Sequence, residues 1–280
     1  MFFLRLLVAI IKAKKFNYMK LSRINGLIMR HLYLYKRSVP RLMDIFYWPI
    51  MELLLWGFIS AFIDKLGMPG FNAVTVLLGA VIFWDLLAQS QRAVSVSFLE
   101  EVWEKNFLNI FVTPLRVSEF IASTFILAAI RIVLVTIVMA FIAFFFYKFN
   151  LFVFGFTLIP FMFNLLMFGS VLGLFTTAII LRYGTSAQVL AFGFIMLIQP
   201  FTAVFYPVSV LPPLLQKFSY LFPSTYVFEG MREVISTGTF SYPLFWGAAA
   251  TNFVYAFVIT WFFYRMFAYV KREGKLLRLD

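Results

Sequence analysis

The chain has 280 residues, of which 63% are hydrophobic and only 13% are charged, and its mean hydropathy is +0.93. A soluble domain contains about 45–50% apolar residues, so this composition excludes an ordinary soluble fold and indicates a polytopic membrane protein. The formal charge of +12 would suit nucleic-acid binding, but in a membrane protein it is better explained by cytoplasmic Lys and Arg that face anionic lipid. Without cysteine, the chain has neither a disulfide nor a thiolate metal site.

The first 41 residues precede the first long apolar run and carry ten Lys and Arg side chains. We predict that residues 1–41 form a cytoplasmic amphipathic helix on the membrane surface, with Ser22 as a candidate N-cap. A disordered basic tail is the alternative, because the segment KAKKFNYMK has weak helical periodicity. The densest Lys cluster follows the apolar start of the chain, which argues against a signal peptide. His31, the only histidine, is expected to face solvent.

Six apolar runs close to the ~20 residues that a bilayer requires predict six transmembrane helices in an all-α fold. They are 42–63, 71–91, 119–147, 152–181, 186–206 and 243–268. They form a transmembrane domain of residues 42–270, which a basic cytoplasmic tail, 271–280, follows. Lys and Arg outside the runs concentrate on the side of the two termini, so the positive-inside rule predicts that both termini are cytoplasmic. The expected location is the cytoplasmic (inner) membrane of the cell.

A charged stretch, SVSFLEEVWEKNFLNIFVTPLRVSEF, lies between the second and third runs on the predicted cytoplasmic side. Ser97, with Glu100 three residues later, fits a capping box, and Pro114 bounds the other end, which predicts a helix of about four turns. Its apolar stripe consists of Leu99, Trp103, Phe107, Ile110 and Phe111. Its polar face consists of Glu100, Glu101, Glu104, Lys105 and Asn109. Helices that lie at the lipid interface usually carry Lys and Arg on their polar face, so this mostly acidic face predicts contact with another protein. A helix that simply lies at the lipid interface is the alternative.

Three ionisable residues, Glu52, Asp85 and Arg131, lie inside the apolar runs, each about 10–16 Å from the cytoplasmic end of its helix at ~1.5 Å per residue. Because a charge in the membrane is costly unless it is paired, we predict a cluster of Arg131 with Glu52 or Asp85. Structural pairing is favoured over a role in substrate movement. In the fourth run, Gly169 and Gly173 are spaced for close helix packing, against another span or against a second copy of the chain.

The segment FYPVSVLPPLLQKFSYLFPSTYVFEGMREV, residues 205–234, is apolar but contains Pro207, Pro212, Pro213 and Pro223. Four prolines so close together cannot lie in one continuous helix. The segment is therefore predicted to form short broken helices that partly re-enter the membrane, and a loop at the outer surface is the alternative.

Two segments resemble the type-2 ABC exporter permeases, a family that includes drug-resistance, nodulation-factor, teichoic-acid and O-antigen export permeases. LLGAVIFWDLLAQSQRAVSVSFLEEVWEKNFLNIFVTPLRVSEFIAS is similar to the second span, the coupling helix and the start of the third span of that family. Residues 205–234 resemble a family signature, with an aromatic-Pro pair, Leu-Pro and Pro-x-Thr-Tyr followed by an acid and an Arg.

The resemblance implies the permease subunit of an ATP-driven exporter, a homodimer that moves an amphipathic drug, lipid or lipid-linked glycan by alternating access. It implies two copies of a separate ATP-binding subunit that hold ATP and Mg²⁺, so this chain itself is expected to bind no cofactor and to be no enzyme. The implied docking residues on the coupling helix are Glu100, Glu101, Trp103, Glu104, Lys105, Phe107 and Phe111. The residues implied for a re-entrant exit gate are Pro207, Leu211, Pro212, Pro223, Tyr226, Glu229 and Arg232.

The sequence contains no pattern for chemistry of its own. It lacks HExxH, and Gly274-Lys275 is followed by leucine, so there is no Walker A motif. We assign no catalytic and no metal-binding residue, and we expect membrane lipids but no nucleic acid among the partners. The alternative functions are a secondary transporter, which predicts inverted repeats and polar sites at the midplane, or a polytopic membrane enzyme, both without an ATPase partner.

Overall fold

A computed structural model describes residues 20–66, 72–104, 106, 109–110 and 113–273. Every regular element in these residues is helical, so the prediction of an all-α fold is confirmed for them. The α-helices are α1 (Leu21–Arg37), α2 (Val39–Lys65), α3 (Ala73–Trp103), α4 (Val117–Tyr147), α5 (Leu158–Tyr183), α6 (Leu190–Ile198), α7 (Pro213–Ser219), α8 (Pro223–Thr237) and α9 (Tyr242–Arg272). Short 3-10 turns lie at Leu151–Thr157, Gly184–Ala187, Gln199–Phe201 and Val208–Val210. The division of the chain at residues 41 and 270 stays a prediction.

Five helical stretches in the described part of the chain are long and apolar enough to cross a membrane. They are α2, α3, α4, α9 and Leu151–Tyr183, which joins a 3-10 turn to α5. The predicted fifth run, 186–206, is not a helix of that length, because its apolar helix covers only Leu190–Phe201. Pro200 lies at the start of its last turn, and Ala203 has a left-handed backbone with φ of 50°. Both features interrupt a helix, so six full-length spans are not found in the described residues.

The central helix of the bundle is α3. Other parts of the chain bury 83% of the residues in the most apolar stretch of α3, against 17% in the corresponding stretch of α9. It packs against α2, α4 and α5, while α9 packs against the other side of α5. The apolar side chains of α3 therefore mainly contact other helices, and the exposed apolar surface lies on the helices around it.

The crossing of α3 and α5 depends on the two glycines of the predicted packing motif. A Cβ atom added to Gly173 would lie 2.6 Å from the Gln91 carbonyl oxygen and 2.7 Å from the Val94 Cβ. A Cβ on Gly169 would likewise collide with the carbonyl oxygen of Leu87. The structure thus places both glycines against another span of the same chain, where only a hydrogen fits between the two backbones.

Buried amide side chains join the helices by hydrogen bonds. Asn252 of α9 donates to the side-chain oxygen of Asn164 in α5 at 2.9 Å, and Gln89 of α3 donates to the Ile45 carbonyl oxygen of α2 at 3.1 Å. Such bonds satisfy polar groups that would otherwise face hydrocarbon. These buried amide side chains therefore serve as contacts between helices.

The amphipathic helix predicted near the N-terminus corresponds to α1, although residues 1–19 lie outside the described residues. The N-cap residue of α1 is Lys20, not Ser22, and the Lys20 side chain makes no capping hydrogen bond. Instead, the fully buried carboxylate of Glu119 in α4 accepts the Lys20 backbone N–H at 2.8 Å and the Arg116 backbone N–H at 2.9 Å. One carboxylate therefore binds the first turns of two helices, and it attaches α1 to α4.

Candidate functional site

The charged stretch between the second and third predicted spans begins as a direct continuation of α3. The helix runs through Ser97 to Trp103, and the Ser97 hydroxyl donates to the Ala93 carbonyl oxygen at 2.6 Å. A capping box with Glu100 is therefore wrong, because a serine that bonds to the preceding turn lies inside a helix and does not start one. Of the remaining predicted helix, residues 105, 107–108 and 111–112 lie outside the described residues.

Three carboxylates at the end of α3 bind two arginines, one from α1 and one from the first turn of α2. Arg41 donates to Glu100 at 2.8 Å and to Glu104 at 2.6 Å. Arg30 donates to Glu101 in a close ion pair and to Glu104 at 3.2 Å. We call these five residues the α1–α3 ion cluster. It joins three helices at the end of the bundle where the connection between α3 and α4 begins.

His31 lies within the same cluster and is 1% exposed, so the expectation that it faces solvent is wrong. Its Nδ1 atom is 3.7 Å from Glu100 Oε2, and its Nε2 atom is 3.6 Å from Glu101 Oε1. Consecutive carboxylates can be buried together only when positive or hydrogen-bonding groups surround them. Arg41 supplies such a group to Glu100 and Arg30 supplies one to Glu101, while His31 lies beside both carboxylates.

These contacts change the predicted docking surface for another subunit. Glu100 and Glu101 are 7% and 1% exposed, and their partners lie within the chain, so they are not free to face an ATPase. Trp103 was predicted on the buried stripe, but it is 48% exposed and its indole N–H donates to Gln188 at 3.2 Å. Glu104 is the carboxylate of the cluster that remains accessible. The other predicted docking residues, Lys105, Phe107 and Phe111, lie outside the described residues.

The intramembrane charges pair differently from the prediction. Arg131 binds Asp44 of α2 at 3.1 Å, and neither Glu52 nor Asp85 is its ion-pair partner. Asp85 instead binds Arg92, two turns along the same helix, at 3.5 Å. The predicted cluster is therefore wrong in its partners, because Arg131 pairs with Asp44 and Asp85 pairs with Arg92. Glu52 has no salt bridge or hydrogen bond among the described side chains.

A cavity of about 630 Å³ opens between α2, α3 and α6 beside these charges. Its lining is mainly aromatic and aliphatic, with three charged residues and one amide. The lining residues are Asp44, Trp48, Met51, Glu52, Leu55, Trp56, Trp84, Ala88, Arg92, Phe192, Ile195, Met196 and Gln199. Concave apolar sites with a few polar groups are the usual form of a small-molecule site. The sequence indicated the charges but not the cavity, because its three helices are separate in the chain.

The predicted exit-gate segment consists of short helices at the end of the bundle away from the ion cluster. Glu229 accepts the Val208 backbone N–H at 2.7 Å and an Arg232 N–H at 2.9 Å. Arg232 also donates to the carbonyl oxygens of Ala203 and Val204, at 2.8 and 3.2 Å. This acid and this Arg therefore hold the irregular backbone that follows α6.

The prolines of this segment mark the starts and breaks of its helices. Pro207, Leu211 and Pro212 have extended backbones on either side of a 3-10 turn, and Pro223 is the first residue of α8. The ring of Tyr226 fits against Gly247 of α9, where an added Cβ would lie 2.6 Å from the ring.

Burial and the negative charge of Glu229 raise the pKa of Tyr220, which stays protonated at neutral pH. Whether the segment re-enters the membrane stays a prediction.

The sequence matches the family model described as ABC-2 type transporter over residues 25–236, from the first turns of α1 to the last turn of α8. The chain belongs to the ABC-2 type transporter family. This family's membrane domain is a transporter permease, is not itself catalytic, and normally works with an ATP-binding subunit. The resemblance to the ABC permeases is thereby confirmed at the level of the family. A search among curated proteins finds no match.

Proposed function

We propose that this ABC-2 permease is the membrane subunit of an ATP-driven exporter in the cytoplasmic membrane, with both termini in the cytoplasm. Its substrate is an amphipathic drug-like molecule, a lipid or a lipid-linked glycan, which it moves outward by alternating access. The energy comes from a separate ATP-binding subunit that binds ATP and Mg²⁺ and docks on the connection between α3 and α4, residues 104–116.

The α1–α3 ion cluster is the observation that carries this proposal. The single helix α3 passes through the core of the bundle, and its last turn is bound to α1 and α2 through Arg30 and Arg41. A displacement of the connection that follows Trp103 is thus transmitted to three helices together, because ion pairs and a continuous helix resist separation. A rigid connection of this kind is what a motor subunit needs in order to move the helices beside the cavity.

The proposed homodimer is supported by the charges of α2 and α3 that line the cavity. Asp44, Glu52 and Arg92 line the cavity, and the neighbouring Trp48 is 62% exposed. Charged groups at this depth are costly against lipid tails and usually face protein or a water-filled path. A second copy that packs along this face would enclose the cavity between two chains and remove the charges from lipid.

The test is reconstitution of the purified permease with an ATP-binding subunit encoded in the same genome. We expect the two chains to co-purify and the proteoliposomes to move an amphipathic substrate only when ATP is hydrolysed. The matched control is the same complex with the Walker A lysine of the ATP-binding subunit replaced by alanine, which should assemble but not transport. Equal transport without the ATP-binding subunit, driven by a membrane potential, would contradict the proposal and favour a secondary transporter.

A further inference from the structure

The charges around the cavity do not balance. Five ionisable side chains lie together on α2, α3 and α4, and four of them form two ion pairs, Asp44 with Arg131 at 3.1 Å and Asp85 with Arg92 at 3.5 Å. Each pair is neutral overall. The remaining group is the carboxylate of Glu52, which lines the cavity. The positive charge of Arg92 acts on it, but no basic side chain forms an ion pair with it in the part of the chain that the structure describes. An unpaired acid inside a membrane protein is expected to have a functional partner.

The walls around Glu52 suit a cation with a large apolar body. Trp48, Trp56 and Trp84 line the same cavity, and the face of an indole ring attracts positive charge. Met51 and Met196 also line it, and their flexible side chains adapt to ligands of different shape. A volume of about 630 Å³ is large enough for a small organic molecule, since pockets that bind such ligands measure roughly 300–1,000 Å³.

We propose that this cavity is a binding site for lipophilic organic cations, such as quaternary ammonium or phosphonium compounds, with Glu52 as the counter-ion. The positive centre of the ligand lies near the Glu52 carboxylate, and its apolar groups contact the three tryptophans. The inference rests on the proposed function, because it assigns such cations as a substrate class of the exporter. An anion of equal size is disfavoured, since the Glu52 carboxylate would repel it and both arginines near the cavity already pair with carboxylates, those of Asp44 and Asp85.

The experiment compares two probes that differ mainly in the sign of their charge. Tetraphenylphosphonium and tetraphenylborate have nearly the same size and apolar surface. Equilibrium binding of each radiolabelled probe is measured to the full-length permease in nanodiscs of neutral lipid, with empty nanodiscs subtracted. We expect saturable binding of the cation and at least tenfold weaker binding of the anion, because the five ionisable side chains comprise three acids and only two arginines.

The variant Glu52→Gln keeps the shape of the side chain and removes its charge. We expect it to weaken binding of the phosphonium at least tenfold while the anion is little affected. Glu273→Gln, which removes one carboxylate from the exposed end of α9, is the matched control and should bind like the wild type. If Glu52→Gln fails to fold, the preference of the wild type for the cation still tests the proposal.

Three results would overturn this inference. The first is equal affinity of the wild type for both probes, and the second is unchanged phosphonium affinity in folded Glu52→Gln. Either result, combined with ATP-driven transport of another compound by the reconstituted complex, would leave the proposed function intact. Binding that appears only at nanodisc loadings with one permease copy, and is lost with two, would show that a second copy occupies the cavity and would also overturn the assignment.

Discussion

Glu101→Lys should almost abolish the yield of folded permease. The Glu101 side chain is 1% exposed and lies against Arg30 and His31, so a lysine there would place like charges together in a buried site. Removing one partner of a buried ion pair costs about 3–5 kcal/mol, and reversing its charge costs more. That loss is comparable to the whole stability of many proteins. The measurement is the monodisperse yield after detergent extraction, together with the thermal unfolding midpoint.

Two further variants separate the loss of this contact from a general effect of added charge. Glu273→Lys makes the same charge reversal at an exposed position and should leave yield and unfolding midpoint unchanged. The double variant Arg30→Glu with Glu101→Lys restores opposite charges and should recover part of the yield. A normal yield of Glu101→Lys alone would show that the α1–α3 ion cluster does not hold the helices together.

Gly173→Leu should destabilise the bundle by about 3 kcal/mol, the upper part of the range of about 1–3 kcal/mol for overpacking a tight contact, because the contact has no room to adjust. The atoms in the way of its Cβ include the backbone carbonyl oxygen of Gln91, which cannot move without displacing α3. Gly193→Leu is the matched control in α6, since nothing lies within 4 Å of a Cβ at that position.

Thermal unfolding of both purified variants measures this difference. The variant at Gly173 should unfold well below the wild type, and the one at Gly193 should unfold close to it. An equal unfolding midpoint for the two variants would contradict the close approach of α3 and α5 at this glycine.

The parts of the fold that depend on local composition were predictable from the sequence. The five long apolar helices follow the hydropathy of the chain, and the broken segment before α9 follows from its prolines, because both effects act over short distances. The fifth run was predicted too long because hydropathy does not register backbone geometry. Its residues are mostly apolar, yet Pro200 and the positive φ of Ala203 end the helix.

The parts of the site that depend on distant partners were not predictable. Arg41 and Glu104 are 63 positions apart, and no spacing rule connects them. An excess of Glu on one face of a helix predicts a basic partner, and this partner proved to include α1 of the same chain. Asp44 and Arg131 are likewise 87 positions apart, so the sequence does not indicate that they pair.

The most direct test of the account is whether the ATP-binding subunit contacts the connection between α3 and α4. The chain contains no cysteine, so a single Asn109→Cys variant has one thiol, at an exposed position of that connection. In membranes that contain both subunits, a short thiol-reactive cross-linker should join this variant to the ATP-binding subunit, while Thr239→Cys, exposed at the opposite end of the bundle, should not. Cross-linking from position 239 alone, or from neither position in an actively transporting complex, would contradict the account.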